Sequence, residues 1–178
     1  PAGAKEDFLL CVSALVPYKR LDIAVEAANK SGEQLVVIGE GPERKRLEAQ
    51  AGSTVKFLGW VDQETVRDHY RRARAFLFPG EEDFGITPLE AAACGTPVVA
   101  YARGGALETV VEGITGVFFR EQSADSLAAA LKRLTGTRWE PGAMRKRALQ
   151  FSPEKFRSGL ASAIREAAAA KGIKNAQF

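Results

Sequence analysis

The chain has 178 residues, 46% hydrophobic and 26% charged, with a formal net charge of +3, which suits one soluble globular domain with a full core and does not by itself point to nucleic acid. No apolar run approaches the roughly 20 residues of a membrane span. No charged-then-apolar signal segment opens the chain, so the expected location is cytoplasmic.

In chain order, Pro1-Ala2-Gly3-Ala4 reads as a bland leader, and the chain as a fragment of a longer protein. Phe8 to Val12 is a continuous apolar run, as a buried parallel strand should be. Leu21, Ile23, Ala24, Ala27 and Ala28 recur at helical spacing, and Ser31-Gly32 ends that helix. Leu35 to Ile38 is the second strand, followed by Gly39-Glu40-Gly41 and a helix with Pro42 at its first position. Thr54 to Leu58 is the third strand, Asp62 caps a helix to about Arg72, and Ala75 to Phe78 is the fourth strand. Thr87-Pro88-Leu89-Glu90 reads as a capping box, with Thr87 as N-cap, Pro88 first in the helix and Glu90 third. Pro97 to Ala100 and Val117 to Phe119 are the last strands. Ser123 or Asp125 caps a helix to Leu134, and Pro141 opens another. The final helix, 152–170, starts at Ser152 and carries an apolar stripe of Phe156, Leu160, Ala163, Ile164 and Ala167. The tail from Lys171 to Phe178 has no pattern and is expected to fray. Cys11 and Cys94, far apart in apolar stretches, read as buried free thiols in a reducing compartment.

Strands alternating with helices predict a single doubly wound, Rossmann-like α/β domain over 1–178, with a mostly parallel sheet of about six strands. Ligands of such sheets bind beyond the carboxyl ends of the strands. That selects the loops Ser13 to Arg20, Gly39 to Pro42, Gly59 to Val61, Pro79 to Thr87 and Tyr101 to Gly105. Lys19 and Arg20 are either solvated cations or a phosphate site at a helix start. Gly39-Glu40-Gly41 resembles an opening dinucleotide fingerprint, but Arg44 stands where its third glycine belongs, which opposes NAD. Glu90 is explained by capping and Glu82 by solvent; alternatively both face one junction and accept bonds from sugar or ribose hydroxyls. His69, the sole histidine, lies on a helix remote from these loops. No Cys and His cluster has metal-ligand spacing, and the arginine runs lack the aromatic interleaving of a nucleic-acid face.

Five ordered pieces then carry a resemblance: VSALVPYKRLDIAVEA, LVVIGEGPERKRLE, VKFLGWV, EDFGITPLEAAACGTPVVA and GGALETVVEGITGVFF. From Phe8 to Phe119, with a family-like tail at Phe151 to Glu166, the chain resembles the C-terminal, donor-binding half of retaining GT-B glycosyltransferases of the GT4 class. The leading segment looks most like mannosyltransferases of polysaccharide assembly. The E-x7-E pair of that family falls on Glu82 and Glu90. The resemblance implies that Lys19 binds the donor diphosphate and Glu82 the hydroxyls of the transferred sugar. Phe84, Gly85, Ile86 and Thr87 would line the sugar and phosphate pocket, and Glu90 would bind the ribose. Gly59, Trp60 and Val61 would flank the base, with Gly39 and Gly41 giving room near the nucleotide. No metal or other cofactor is implied. Ala14 stands where the family often has arginine, and Arg20 is the expected substitute. The implied partners are a nucleotide-sugar donor and a missing N-terminal acceptor-binding domain, against which helix 152–170 would pack. Nucleic acid is not among them, and peripheral membrane association is left to the full-length protein. The alternatives are a non-catalytic nucleotide-binding module or a nucleotide-sugar epimerase-like GT-B domain.

Overall fold

The computed structural model describes residues 5–171. Six strands form one sheet: β1 (Leu9–Val12), β2 (Leu35–Ile38), β3 (Val55–Gly59), β4 (Ala75–Phe78), β5 (Val98–Tyr101) and β6 (Gly116–Phe119). Their order is β3-β2-β1-β4-β5-β6, and every neighbouring pair is parallel. The helices are α1 (Leu21–Ser31), α2 (Arg44–Gln50), α3 (Gln63–Arg72), α4 (Ile86–Ala93), α5 (Ala106–Thr109), α6 (Ala124–Thr135), α7 (Pro141–Ala148) and α8 (Pro153–Ala170).

Both faces of the sheet are covered at its centre, which is why β1 and β4 read as unbroken apolar runs, whereas the edge strand β3 keeps Lys56 exposed. Leu9 and Cys11 of β1, Leu77, Val99 and Val117 pack on one face with α1 and α6. Leu10, Phe76, Phe78, Val98 and Ala100 pack on the other with Tyr70 of α3, Ala91 of α4 and Ala106 of α5. Successive residues of a strand thus feed opposite cores, as its two-residue period requires. Cys11 is fully buried, Cys94 half-buried, and both are free. Burial pushes the Cys11 thiol up to about 12, so it stays protonated.

The expected caps at Asp62, Ser123 and Ser152 each accept a bond from a first-turn backbone N–H, at 2.7 Å from Thr65 in the first case. Gly32 closes α1 in the left-handed region at φ 73°. Two helix starts differ from expectation. Pro42 lies in a turn, and α2 begins at Arg44 behind Glu43. Helix α4 begins at Ile86, before the expected Thr87 cap. Helix α8 buries none of its residues. The leader Pro1 to Ala4 and the tail beyond Lys171 lie outside the described residues. No helix of the described residues is long and apolar enough to cross a membrane.

Candidate active site

Strand β1 pairs with β2 on one side and β4 on the other, so the sheet's winding reverses between β1 and β4. The crevice of such a sheet opens there, at the carboxyl ends of both strands. The loops that leave those ends are the ones carrying Lys19 and Glu82. Between them lies a hollow of about 550 Å³, lined by Val12, Ser13, Ala14, Tyr18, Lys19 and by Glu81 through Thr87. The structure therefore brings together Lys19, Glu82, Phe84, Gly85, Ile86 and Thr87 from the expected set.

Lys19 ends a short 3-10 turn, Pro17–Lys19. Its ammonium is paired with Glu82 Oε1, the side chains being only 14% and 21% exposed, and lies 5.0 Å from the centre of the Tyr18 ring. Glu82 is thus held by a cation rather than by solvent. Facing the pair is the start of α4. Gly85, at φ 84°, turns the chain into the helix without a side-chain cap. The first-turn N–H groups of a helix lack acceptors within it and carry partial positive charge, which suits an anion.

The acidic loop is braced from three sides. The carbonyl of Glu82 accepts from the Gly105 N–H at 2.7 Å. The contact is close: a Cβ at Gly105 would lie 2.3 Å from the Phe84 carbonyl oxygen and 2.4 Å from Phe84 Cα. The Phe84 ring meets Phe151 edge-on at 5.8 Å. At the loop's start, the Pro79 carbonyl accepts from Gln122 Nε2 at 3.2 Å, and Gln122 Oε1 accepts from Arg20 Nη1 at 3.2 Å. Arg20 also grips both oxygens of Asp22 at 3.1 Å. Its guanidinium therefore supports the loop from behind and does not line the hollow.

The capping box at α4 is not formed. Ile86 is the first helical residue, so Thr87 is second, Pro88 third and Glu90 fifth. Proline is tolerated that early because the N–H it lacks had no acceptor in the helix. Glu90 stands one turn in, where its carboxylate cannot reach back to the cap. Its Oε2 accepts instead from the Tyr70 hydroxyl at 3.0 Å. Glu90 opens into a second hollow of about 550 Å³ between α3 and α4, with Gln63, Arg67 and Cys94. The two glutamates share one loop–helix unit but line different hollows.

Gly39, at φ 132°, packs against the neighbouring loop, since a Cβ there would lie 1.9 Å from the Ser13 carbonyl oxygen. Gly41 likewise stands against Leu15, where a Cβ would lie 2.3 Å from its carbonyl oxygen, and the Leu15 N–H donates to the Glu40 carbonyl at 2.9 Å. These glycines seat the loop that carries Lys19. Gly59 accepts from the Gly39 N–H at 2.8 Å; Trp60 beyond it is 79% exposed and Val61 half-buried. His69 is bonded to the Thr65 carbonyl at 2.7 Å and lines neither hollow. Among the described residues, no three His, Cys, Asp or Glu side chains converge as a metal site. Tyr70 and Gln122 carry no sequence signal: their parts depend on α3 packing against α4 and on the β6–α6 turn reaching Pro79.

A parallel sheet in this order, with a cation, a carboxylate and a helix start at its switch point, defines a doubly wound α/β domain with an anion-ready crevice. The chain belongs to the glycosyl transferases group 1 family, whose model matches residues 1–151. It is 34% identical to a D-inositol 3-phosphate glycosyltransferase of Geodermatophilus obscurus, over 93% of this chain and 42% of that protein. It is also 34% identical to a GDP-mannose-dependent alpha-(1-6)-phosphatidylinositol monomannoside mannosyltransferase of Mycobacterium tuberculosis, over 71% of this chain and 37% of that one. A lipopolysaccharide outer core galactosyltransferase shares the fold with TM-score 0.81 at 20% identity, over 92% of this chain and 50% of that one. The chain thus spans half or less of each of these proteins, and its fold is one half of a GT-B glycosyltransferase.

Proposed function

We propose that the chain is the donor-binding half of a retaining glycosyltransferase of the GT4 class, moving a hexose from a nucleotide diphosphate sugar to a saccharide or lipid-linked acceptor. Mannose is the sugar favoured, on the strength of the mannosyltransferase relative. The observation that carries the reading is the Lys19–Glu82 pair, at the sheet's switch point and beside the open N–H groups of α4. A diphosphate entering there takes Lys19 and the α4 amides, without a metal ion, and the sugar hydroxyls take Glu82. Charge developing on the leaving diphosphate is met by fixed donors, which is where such sites gain most of their rate. Glu90 takes the ribose hydroxyls in the neighbouring hollow, and Gly59 to Val61 flank the base.

The acceptor site lies on a preceding domain, which also covers the apolar stripe of α8. Location in the cytoplasm and a role in polysaccharide assembly complete the proposal. The isolated chain then binds donor without useful turnover.

Glu82 is paired with Lys19 and so competes with phosphate for it. Glu82→Gln should therefore tighten binding of the bare nucleoside diphosphate by about threefold, a fraction of a kcal/mol. The same variant should slow transfer by the full-length protein about 100-fold or more. Lys19→Ala should weaken both. Calorimetry with GDP-, UDP- and ADP-sugars beside their free diphosphates, together with transfer assays, checks this. Unchanged transfer in both variants sinks the reading.

A further inference from the structure

Glu90 has one polar partner among the described residues, and it is a buried tyrosine hydroxyl. Tyr70 is 2% exposed, on the α3 face that meets the sheet. Its ring is fixed edge-on against Phe76 of β4 at 5.4 Å between centroids. Its carbonyl accepts from the Thr96 hydroxyl, which in turn accepts from the Lys5 ammonium. The ring is thus held by strand, helix and the turn after α4, and its hydroxyl has one place to be. A buried tyrosine hydroxyl must find an acceptor. Here the acceptor is a carboxylate at the mouth of a hollow.

We infer that Tyr70 is a positioning residue for ribose recognition: by donating to Glu90 Oε2 it fixes the carboxylate so that Oε1 and the second lone pair of Oε2 face a vicinal diol in the α3–α4 hollow. This rests on the reading of Glu90 given above. A free glutamate on a helix samples several rotamers, and holding two ligand hydroxyls would order it at an entropic cost. Tyr70 removes that cost in advance. Burial, and then the Glu90 charge, raise the Tyr70 pKa, so the hydroxyl stays a donor at every working pH.

The test uses calorimetry on the full-length protein with GDP, UDP and ADP, each beside its 2′,3′-dideoxy counterpart. The wild type should prefer the ribo form about tenfold or more, as two hydroxyls on a carboxylate imply. Tyr70→Phe fills the same space without the hydroxyl. It should lose most of that preference while keeping the wild-type affinity for the dideoxy form, which shows the fold and the rest of the site intact. Glu90→Ala should bring the ratio close to one, and Tyr70→Phe added to it should change nothing further. If Glu90→Ala lowers the ratio and Tyr70→Phe leaves it at the wild-type value, Tyr70 does not position the carboxylate. If Glu90→Ala itself leaves the ratio intact, the ribose role of Glu90 falls, and this inference with it. A Tyr70→Phe variant that weakens ribo and dideoxy forms equally shows a merely structural tyrosine and likewise overturns it.

Discussion

One β-carbon at position 105 would meet two backbone atoms of Phe84 at under 2.5 Å, and backbone cannot step aside as a flexible side chain can. Gly105→Ala should therefore displace the loop that holds Glu82, because the Gly105 N–H and the Glu82 carbonyl are bonded to each other. Overpacking of this kind costs about 1–3 kcal/mol, which for a domain this size lowers Tm by about 2–4 °C per kcal/mol. Donor affinity should fall by about tenfold, since the pocket wall moves with the loop. Gly142→Ala is the control: nothing lies within 4 Å of the added carbon, so affinity should not change. Calorimetry and thermal melts decide it, and equal affinity in both variants would show that the brace at Gly105 does not shape the site.

At the scale of the element, α6 begins where Ser123 accepts from the Ser126 N–H at 3.2 Å. Asp125, the other candidate cap, instead pairs with Lys30 on the surface. Ser123→Ala should cost about 1 kcal/mol, and Asp125→Ala much less, as a melt comparison will read. Such starts are legible because a serine, threonine or aspartate before an apolar period has one local use. The strands are legible for a related reason: burial on both faces leaves no polar residue in Leu9–Val12 or Ala75–Phe78 to obscure them. The start of α4 is not legible. Thr87 and Glu90 satisfy a capping rule at the right spacing, yet Gly85 can take a left-handed φ that turns the chain into helix earlier, and local sequence does not rank the two. Gly39 and Gly41 show a similar limit. Their missing side chains make space, but only the neighbouring loop reveals that Ser13 and Leu15 fill it. The Lys19–Glu82 pair depends on β1 lying beside β4, which is a property of topology and not of either loop.

At the scale of the molecule, α8 stands apart from the sheet. Scattered exposed apolar side chains are ordinary on a protein surface, but an ordered stripe is not. Phe156 is 67% exposed and Leu160 48%, one helical turn apart, and Ile164 continues the row. The row starts beside the site, since Phe156 and Phe84 border one apolar hollow with Leu89 and Leu149. A covering domain would therefore touch both the stripe and the back of the acidic loop. Burying two such side chains is worth about 1.5–3 kcal/mol each. Phe156→Asp with Leu160→Asp should leave the Tm of the 178-residue chain within about a degree, because these side chains touch little of its own core. In the full-length protein the same pair should lower Tm by several degrees and slow transfer, with donor affinity reduced less than turnover. Melts of both lengths, run beside transfer assays, test the idea. An equal loss in the short chain would mean that the stripe serves this domain alone. No loss in the long one would mean that the stripe is not a docking face for another domain.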